Sequence, residues 1–251
     1  MKNYVLGDKY KMALSSSSVG MQIKYERNGY YYKLNTAGNE GLVEYLVTLV
    51  LKHSTVKNYV RYEYCTVNRK LACRSKDFTC GGIFVTAENL NEIVTGNINL
   101  NNTLASYRDS VSRYNYLLEL FRCIGLNAEI YLKTMLYLDM LILNTDRHAR
   151  NYGVLLSNGR YSFAPIFDNG LSLNTVPERV CSATISGNFE AQVVATGYPL
   201  NSPFRINYKT LYRELELLNN SIKSTTEYNT LIVQLNQYKN VFSMYQYNIE
   251  I

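Results

Sequence analysis

Asn151 follows Asp146 by five positions in the run Asn144-Thr145-Asp146-Arg147-His148-Ala149-Arg150-Asn151, and Asp168 follows 22 positions after Asp146. A carboxylate, an amide and a second carboxylate at this spacing suit transfer of a phosphoryl group from ATP. That reaction needs few protein groups. One carboxylate orients or deprotonates the attacking hydroxyl, and oxygen ligands hold magnesium against the phosphates. Protein kinases use a loop in which Asn comes five positions after the catalytic Asp, with a further Asp downstream. Here Asp168 is followed by Asn169-Gly170, and Tyr161 to Phe167 reads as the strand that delivers it. An Asp-x-x-x-x-Asn pair alone could simply cap a turn after a helix. Arg147-His148 and the later Asp-Asn-Gly separate the two readings. His148 joins the candidate catalytic set as a buttress beside Asp146, not as a general base or metal ligand.

These residues need elements to place them. The chain reads as a strand-rich lobe over residues 1–88 and a larger helical lobe over 89–251, with a cleft between them as the natural nucleotide site. Met21, Ile23 and Tyr25 alternate with polar residues at period two. Asn28-Gly29 signals a hairpin, and Tyr30 to Leu34 is the returning strand. Over residues 40–53 the period changes, and Leu42, Tyr45, Leu46, Leu49 and Val50 fall on one helical face. Residues 57–86 return to strand-like segments at Tyr59 to Tyr64 and Gly82 to Thr86. Helical spacing then predicts helices over 104–123, 127–143, 207–222 and 226–242, the second apolar nearly all round and so buried.

Within that layout, a lysine on a strand of the first lobe normally holds the α- and β-phosphates, paired with a helix glutamate. Lys33 occupies that place. Its partner would be Glu44 or Glu40, one turn apart. Glu44 is favoured because it interrupts an apolar face, where an unpaired carboxylate is costly. Glu40 could instead interact with the helix dipole. Ser15, Ser16, Ser17, Ser18, Val19 and Gly20 form a polar loop whose N–H groups and hydroxyls could cradle phosphate.

The 144–151 run, with Ala164-Pro165-Ile166-Phe167-Asp168, resembles the C-terminal kinase core of HipA-like serine/threonine kinases. The resemblance spans about residues 12–195 and is most specific between 144 and 170. It implies an α+β, two-lobed protein-kinase-like fold and phosphorylation of protein Ser or Thr with ATP and Mg2+. By position it makes Asp146 the catalytic aspartate and Asn151 and Asp168 the magnesium ligands. In that family a phosphate-loop serine can be autophosphorylated, which places a regulatory site among Ser15 to Ser18. HipA carries an extra N-terminal subdomain, whereas about 14 residues precede the loop here. A compact version is therefore expected, and a toxin–antitoxin role would call for a separately encoded subdomain or antitoxin. Asp-Arg-His also occurs in phosphoinositide kinases, so a lipid or small-molecule kinase is the alternative. A single basic residue, Arg179, between Leu171 and Gln192 weighs against a headgroup-binding patch. A catalytically silent interaction module would be expected to lack Asp146, Asn151 or Asp168, and all three are present.

Composition sets the outer limits. Of 251 residues, 47% are hydrophobic, enough for a sizeable core, and the net charge of +6 suits a polyanionic ligand. No dense Lys/Arg cluster points to direct nucleic-acid binding, and the 24 tyrosines and absent tryptophan fit an AT-rich coding bias. Five cysteines at 65, 73, 80, 123 and 181, without Cys-x-x-Cys spacing and with only His53 and His148, make a zinc site unexpected. Free thiols, an N-terminus without a signal-peptide core and no membrane-length apolar segment fit a cytoplasmic protein.

Overall fold

A computed structural model describes residues 1–12, 22–176, 193–197 and 203–242 of the chain. The fold class is α+β. Its first sheet grows from the Asn28-Gly29 turn, where both residues take positive φ, 54° and 70°. Asn and Gly tolerate that region, and such a turn matches the twist of the strands it joins. It connects β2 (Lys24–Arg27) to β3 (Tyr30–Leu34), and the two-residue loop fixes Lys24 opposite Lys33. β1 (Lys2–Tyr4), β4 (Tyr62–Val67) and β5 (Lys70–Lys76) complete five strands in the order β1-β4-β5-β3-β2. All pairings are antiparallel except β1 with β4.

The pleat sends alternate residues to opposite faces. Tyr25, Tyr32, Leu34, Cys65, Val67 and Ala72 form a small core on the outer face, covered by Leu6, Tyr4 and Tyr10. Lys24, Lys33, Cys73 and Tyr64 form a cross-strand row on the other face. Helix α1 (Glu40–Lys52) packs on the sheet and buries Leu42, Val43, Leu46, Val47 and Val50. Gly41 permits the close approach: a Cβ there would lie 2.7 Å from the Ala72 carbonyl carbon and 2.8 Å from Asn35 Oδ1.

β6 (Ile83–Thr86) pairs with β7 (Gly153–Ser157), which pairs with β8 (Arg160–Phe163), so the chain reaches forward across the helices to build a second sheet. Between them run α2 (Ala87–Thr95), α3 (Leu100–Ser106), α4 (Ser110–Arg122) and α5 (Glu129–Ile142). Then come α6 (Tyr208–Glu216), α7 (Asn220–Lys223) and α8 (Thr226–Phe242). One hydrophobic core joins α1 to these helices, with α5 buried along most of its length.

Four expectations need correction. The helix predicted over 104–123 is two helices, because Tyr107 is extended and Asp109 accepts from Ser112 N as a new N-cap. The 207–222 segment divides likewise, with Asn219 capping α7 through Ile222 N. The strand at 59–64 starts at Tyr62 and runs to Val67. The strand at 161–167 ends at Phe163. Beyond it, Ile166 N donates to Asn58 O and Val60 N to Ile166 O, so this stretch is tied across to the segment before β4. Among the described residues, no helix is long and apolar enough to cross a membrane.

Candidate active site

The buried helix α5 sets the loop that follows it. A carboxylate on an otherwise apolar helix is stable only with a partner. Asp139, fully buried, receives Arg147 Nε at 3.0 Å and Nη2 at 3.0 Å, together with Asn144 Nδ2 at 2.9 Å. α5 ends at Leu143 in the left-handed region, φ 53°, and Asn144 Oδ1 then accepts from Asp146 N at 3.0 Å. Arg147 is itself buried. Its remaining donors reach Phe167 O (2.7 Å), Asn151 O (3.1 Å) and Asn169 Oδ1 (2.7 Å). One guanidinium therefore ties α5, the Asp146 loop and the Asp168 turn together. In the sequence Arg147 only marks the loop; in the structure it is an internal anchor, with its charge engaged by Asp139.

The loop is closed on itself. Asn151 Nδ2 donates to Asp146 O at 2.9 Å, and His148 N to the same carbonyl at 2.9 Å. That leaves the Asn151 side-chain oxygen as a donor for a cation. His148 Nε2 stands 4.0 Å from Asp146 Oδ2, while its Nδ1 accepts from Arg150 N at 3.2 Å. Burial lowers the His148 pKa, with the Asp146 carboxylate opposing, so the ring tends to neutrality and fills space beside Asp146.

Across the cleft, Lys33 Nζ lies 2.7 Å from Asp168 Oδ1 and 3.5 Å from Glu44 Oε1. Tyr62 joins them: its hydroxyl is 3.5 Å from Lys33 Nζ and accepts from Asp168 N at 3.4 Å. Asn169 N donates to Glu44 Oε2 at 3.1 Å. Asp168 takes φ 59°, a conformation most side chains avoid and one that clusters at functional sites. Burial would raise its pKa, but the adjacent Lys33 ammonium overrides this and holds the carboxyl at about 2. Burial would depress Lys33, and Asp168 keeps it well above the usual lysine value. Glu44 is pushed by burial to about 7, against the pull of Lys33.

Glu40 is employed elsewhere. Its carboxylate accepts from Ala37 N at 2.7 Å and from Thr36 N and Gly38 N at 3.2 Å, closing the turn into α1. The lysine therefore faces Glu44. Ser15, Ser16, Ser17, Ser18, Val19 and Gly20 lie outside the described residues.

The sequence reading missed Tyr62, Asp139, Asn144 and Asn169. Asp139 carries a signal, being an acid in the apolar second half of α5, eight residues before Arg147. Tyr62 carried none, since it is one tyrosine among 24.

The donor set bears on magnesium. Among the described residues no three or more His, Cys, Asp or Glu gather as a metal cage. Magnesium on a nucleotide needs only one or two protein carboxylates, because phosphates and water fill the other positions. The Asp168 carboxylate and Asn151 oxygen are hard donors of that kind.

No family model matches the chain, and no curated protein does. Solved structures do match over nearly all of it, among them the following two. The Helicobacter pylori proinflammatory kinase CtkA superposes with a TM-score of 0.57 at 18% identity, over 96% of this chain and 94% of that one. HipA of Shewanella oneidensis MR-1, solved with HipB and its operator DNA, gives 0.54 at 12% identity, over 94% of this chain and 67% of that one. The chain has the HipA-like kinase fold. In this fold the lysine of β3 and the aspartate after β8 belong to opposite halves of the chain, 135 residues apart, and meet in the cleft.

Proposed function

We propose that this chain is an ATP- and magnesium-dependent HipA-like kinase that phosphorylates Ser or Thr of a protein. The observation that carries the reading is the convergence of Lys33, Glu44 and Asp168 from β3, α1 and the turn after β8. Three charged groups from distant segments, drawn into one cleft beside the Asp146–Asn151 loop, are what phosphoryl transfer needs and what a merely structural ion pair does not. The likeness of the fold to CtkA and HipA supports it.

In this reading Lys33 holds the α- and β-phosphates and Glu44 steadies Lys33. Asp168 and Asn151 would hold magnesium through their side-chain oxygens, and the bound ion would offset charge on the phosphates. Asp146 accepts the proton of the attacking hydroxyl as its oxygen bonds to the γ-phosphorus and the bond to ADP breaks. His148 and Arg147 keep the loop in place. From the family resemblance, Ser15 to Gly20 are assigned to phosphate binding, and a serine among Ser15 to Ser18 to autophosphorylation. HipA of Shewanella was solved with HipB; a separately encoded antitoxin-like partner for this chain is part of the proposal.

Phosphoamino-acid analysis tests the acceptor. The full chain is incubated with γ-labelled ATP, magnesium and a cell lysate, beside Asp146→Ala. Label on phosphoserine or phosphothreonine that is absent with the variant is the expected result. Label recovered only in the lipid fraction would replace the protein-kinase reading with the lipid one.

A further inference from the structure

Seven residues beyond Asp168, Thr175 meets the start of α1. Its hydroxyl accepts from Asn39 N at 2.9 Å and donates to Glu227 Oε1 at 3.0 Å. Asn39 Nδ2 donates to the same Glu227 oxygen at 3.1 Å. Asn39 is the N-cap of α1, and Glu227 stands in the first turn of α8. The helix dipole favours an acid in that turn, but it does not account for burying one against two other segments. Glu227 is only 5% exposed, and a carboxylate so placed is costly unless hydrogen bonds hold it. The junction is built at close quarters. A Cβ at Gly38 would lie 2.6 Å from Thr175 O, so only glycine fits there. Leu173 and Asn174, just before Thr175, both take left-handed φ, 55° and 57°. A bulky leucine avoids that region, and such strain persists only where the surroundings impose it. Here Leu173 is buried, and its N donates to Ile142 O at the end of α5, at 2.8 Å.

The segment after Asp168 therefore holds α1 at two points: Asn169 N donates to Glu44 Oε2, and Thr175 Oγ1 accepts from Asn39 N. Asn39 and Glu44 are five residues apart, about 7.5 Å along a helix. A helix held at both points cannot pivot against the sheet, whereas one held at Glu44 alone can. The geometry points to Thr175 and Glu227 as positioning residues for the transfer reaction, acting through Asn39 and α1 to keep Glu44 within reach of Lys33. This rests on the kinase reading. The effect of either residue must pass through Glu44, which gives it a signature.

Initial rates of label transfer by the full chain, with urea denaturation in parallel, test this on Thr175→Val, Thr175→Ser and Glu227→Gln, each alone and combined with Glu44→Gln. Thr175→Val exchanges the hydroxyl for a methyl of similar size. Its kcat should fall about tenfold, within the range that a small misplacement of a positioned group costs. Thr175→Ser keeps the hydroxyl and Glu227→Gln keeps the acceptor oxygen, so both should recover most of that loss. In the Glu44→Gln background Thr175→Val should add little, because the group it positions is already altered. A wild-type rate in Thr175→Val would overturn the assignment while leaving the kinase reading intact. So would a fully additive loss on top of Glu44→Gln, or a Thr175→Val chain that no longer folds, since either marks a purely structural role. A wild type that transfers label to no acceptor would sink the kinase reading, and the positioning role with it.

Discussion

Lys33 Nζ is closer to Asp168 Oδ1, at 2.7 Å, than to Glu44 Oε1, at 3.5 Å. The lysine thus occupies the carboxylate that magnesium would need, and Glu44 stands behind as its alternative partner. In the proposed reading Asp168 would hold the cation, and Lys33 would keep Glu44 as its protein partner.

Lys33→Met removes the counter-charge of two acids and, in the proposed reading, a phosphate contact as well. Phosphate transfer at saturating Mg-ATP should fall at least about a hundredfold, in the range seen on deleting one preorganised electrostatic donor. Initial rates of label transfer check this, and an unchanged rate would remove Lys33 from the site.

Glu44 gives a pH signature. Its carboxyl is at about 7 in the fold against 4.5 for the ordinary group, because burial disfavours the anion. The folded chain holds this proton where the unfolded chain has lost it, so stability falls as pH rises from about 4.5 to 7, by up to roughly 3 kcal/mol. Asp168, depressed to about 2, acts in the opposite sense, and only below about pH 4. Glu44→Gln abolishes the first effect. Its denaturation free energy should gain on wild type across pH 4.5–7; parallel curves would show that Glu44 does not titrate there.

Glu40 and Glu44 should separate cleanly. Glu40→Ala frees three backbone N–H groups at the start of α1. The expected cost is about 1–3 kcal/mol in urea denaturation. Transfer activity should drop far less than in Glu44→Ala, and the reverse order would exchange their roles.

Arg147→Met strands Asp139 as a buried, unpaired charge and should cost about 3–5 kcal/mol. Adding Asp139→Leu should recover part of that stability, because a neutral core tolerates the pair's removal. Activity should not return, since nothing then ties Phe167, Asn151 and Asn169 together. Chemical denaturation and transfer assays on the single and double variants test both halves.

Much of this site could be read from the chain because its signals are local. The Asn28-Gly29 turn fixes β2 against β3, and the Asp146–Asn151 spacing is set by one closed loop. The lysine partner needed more. Glu40 and Glu44 lie on neighbouring turns of α1, and what separates them is the path of residues 36–38 against Glu40 and of Asn169 against Glu44. Tyr62 and Asp139 act through partners 29 and 8 residues away. Helix ends were misjudged where a cap, Asp109 or Asn219, overrode a continuing apolar period.

Magnesium-dependent transfer of labelled phosphate by wild type, Asp146→Ala and Asp168→Ala, with nucleotide binding measured in parallel, is the most direct test that this cleft is a kinase centre. Wild type should transfer label only with magnesium. Both variants should lose transfer while remaining folded, and Asp146→Ala should still bind Mg-ATP. Nucleotide binding without transfer in wild type, across protein, lipid and self as acceptors, would contradict it.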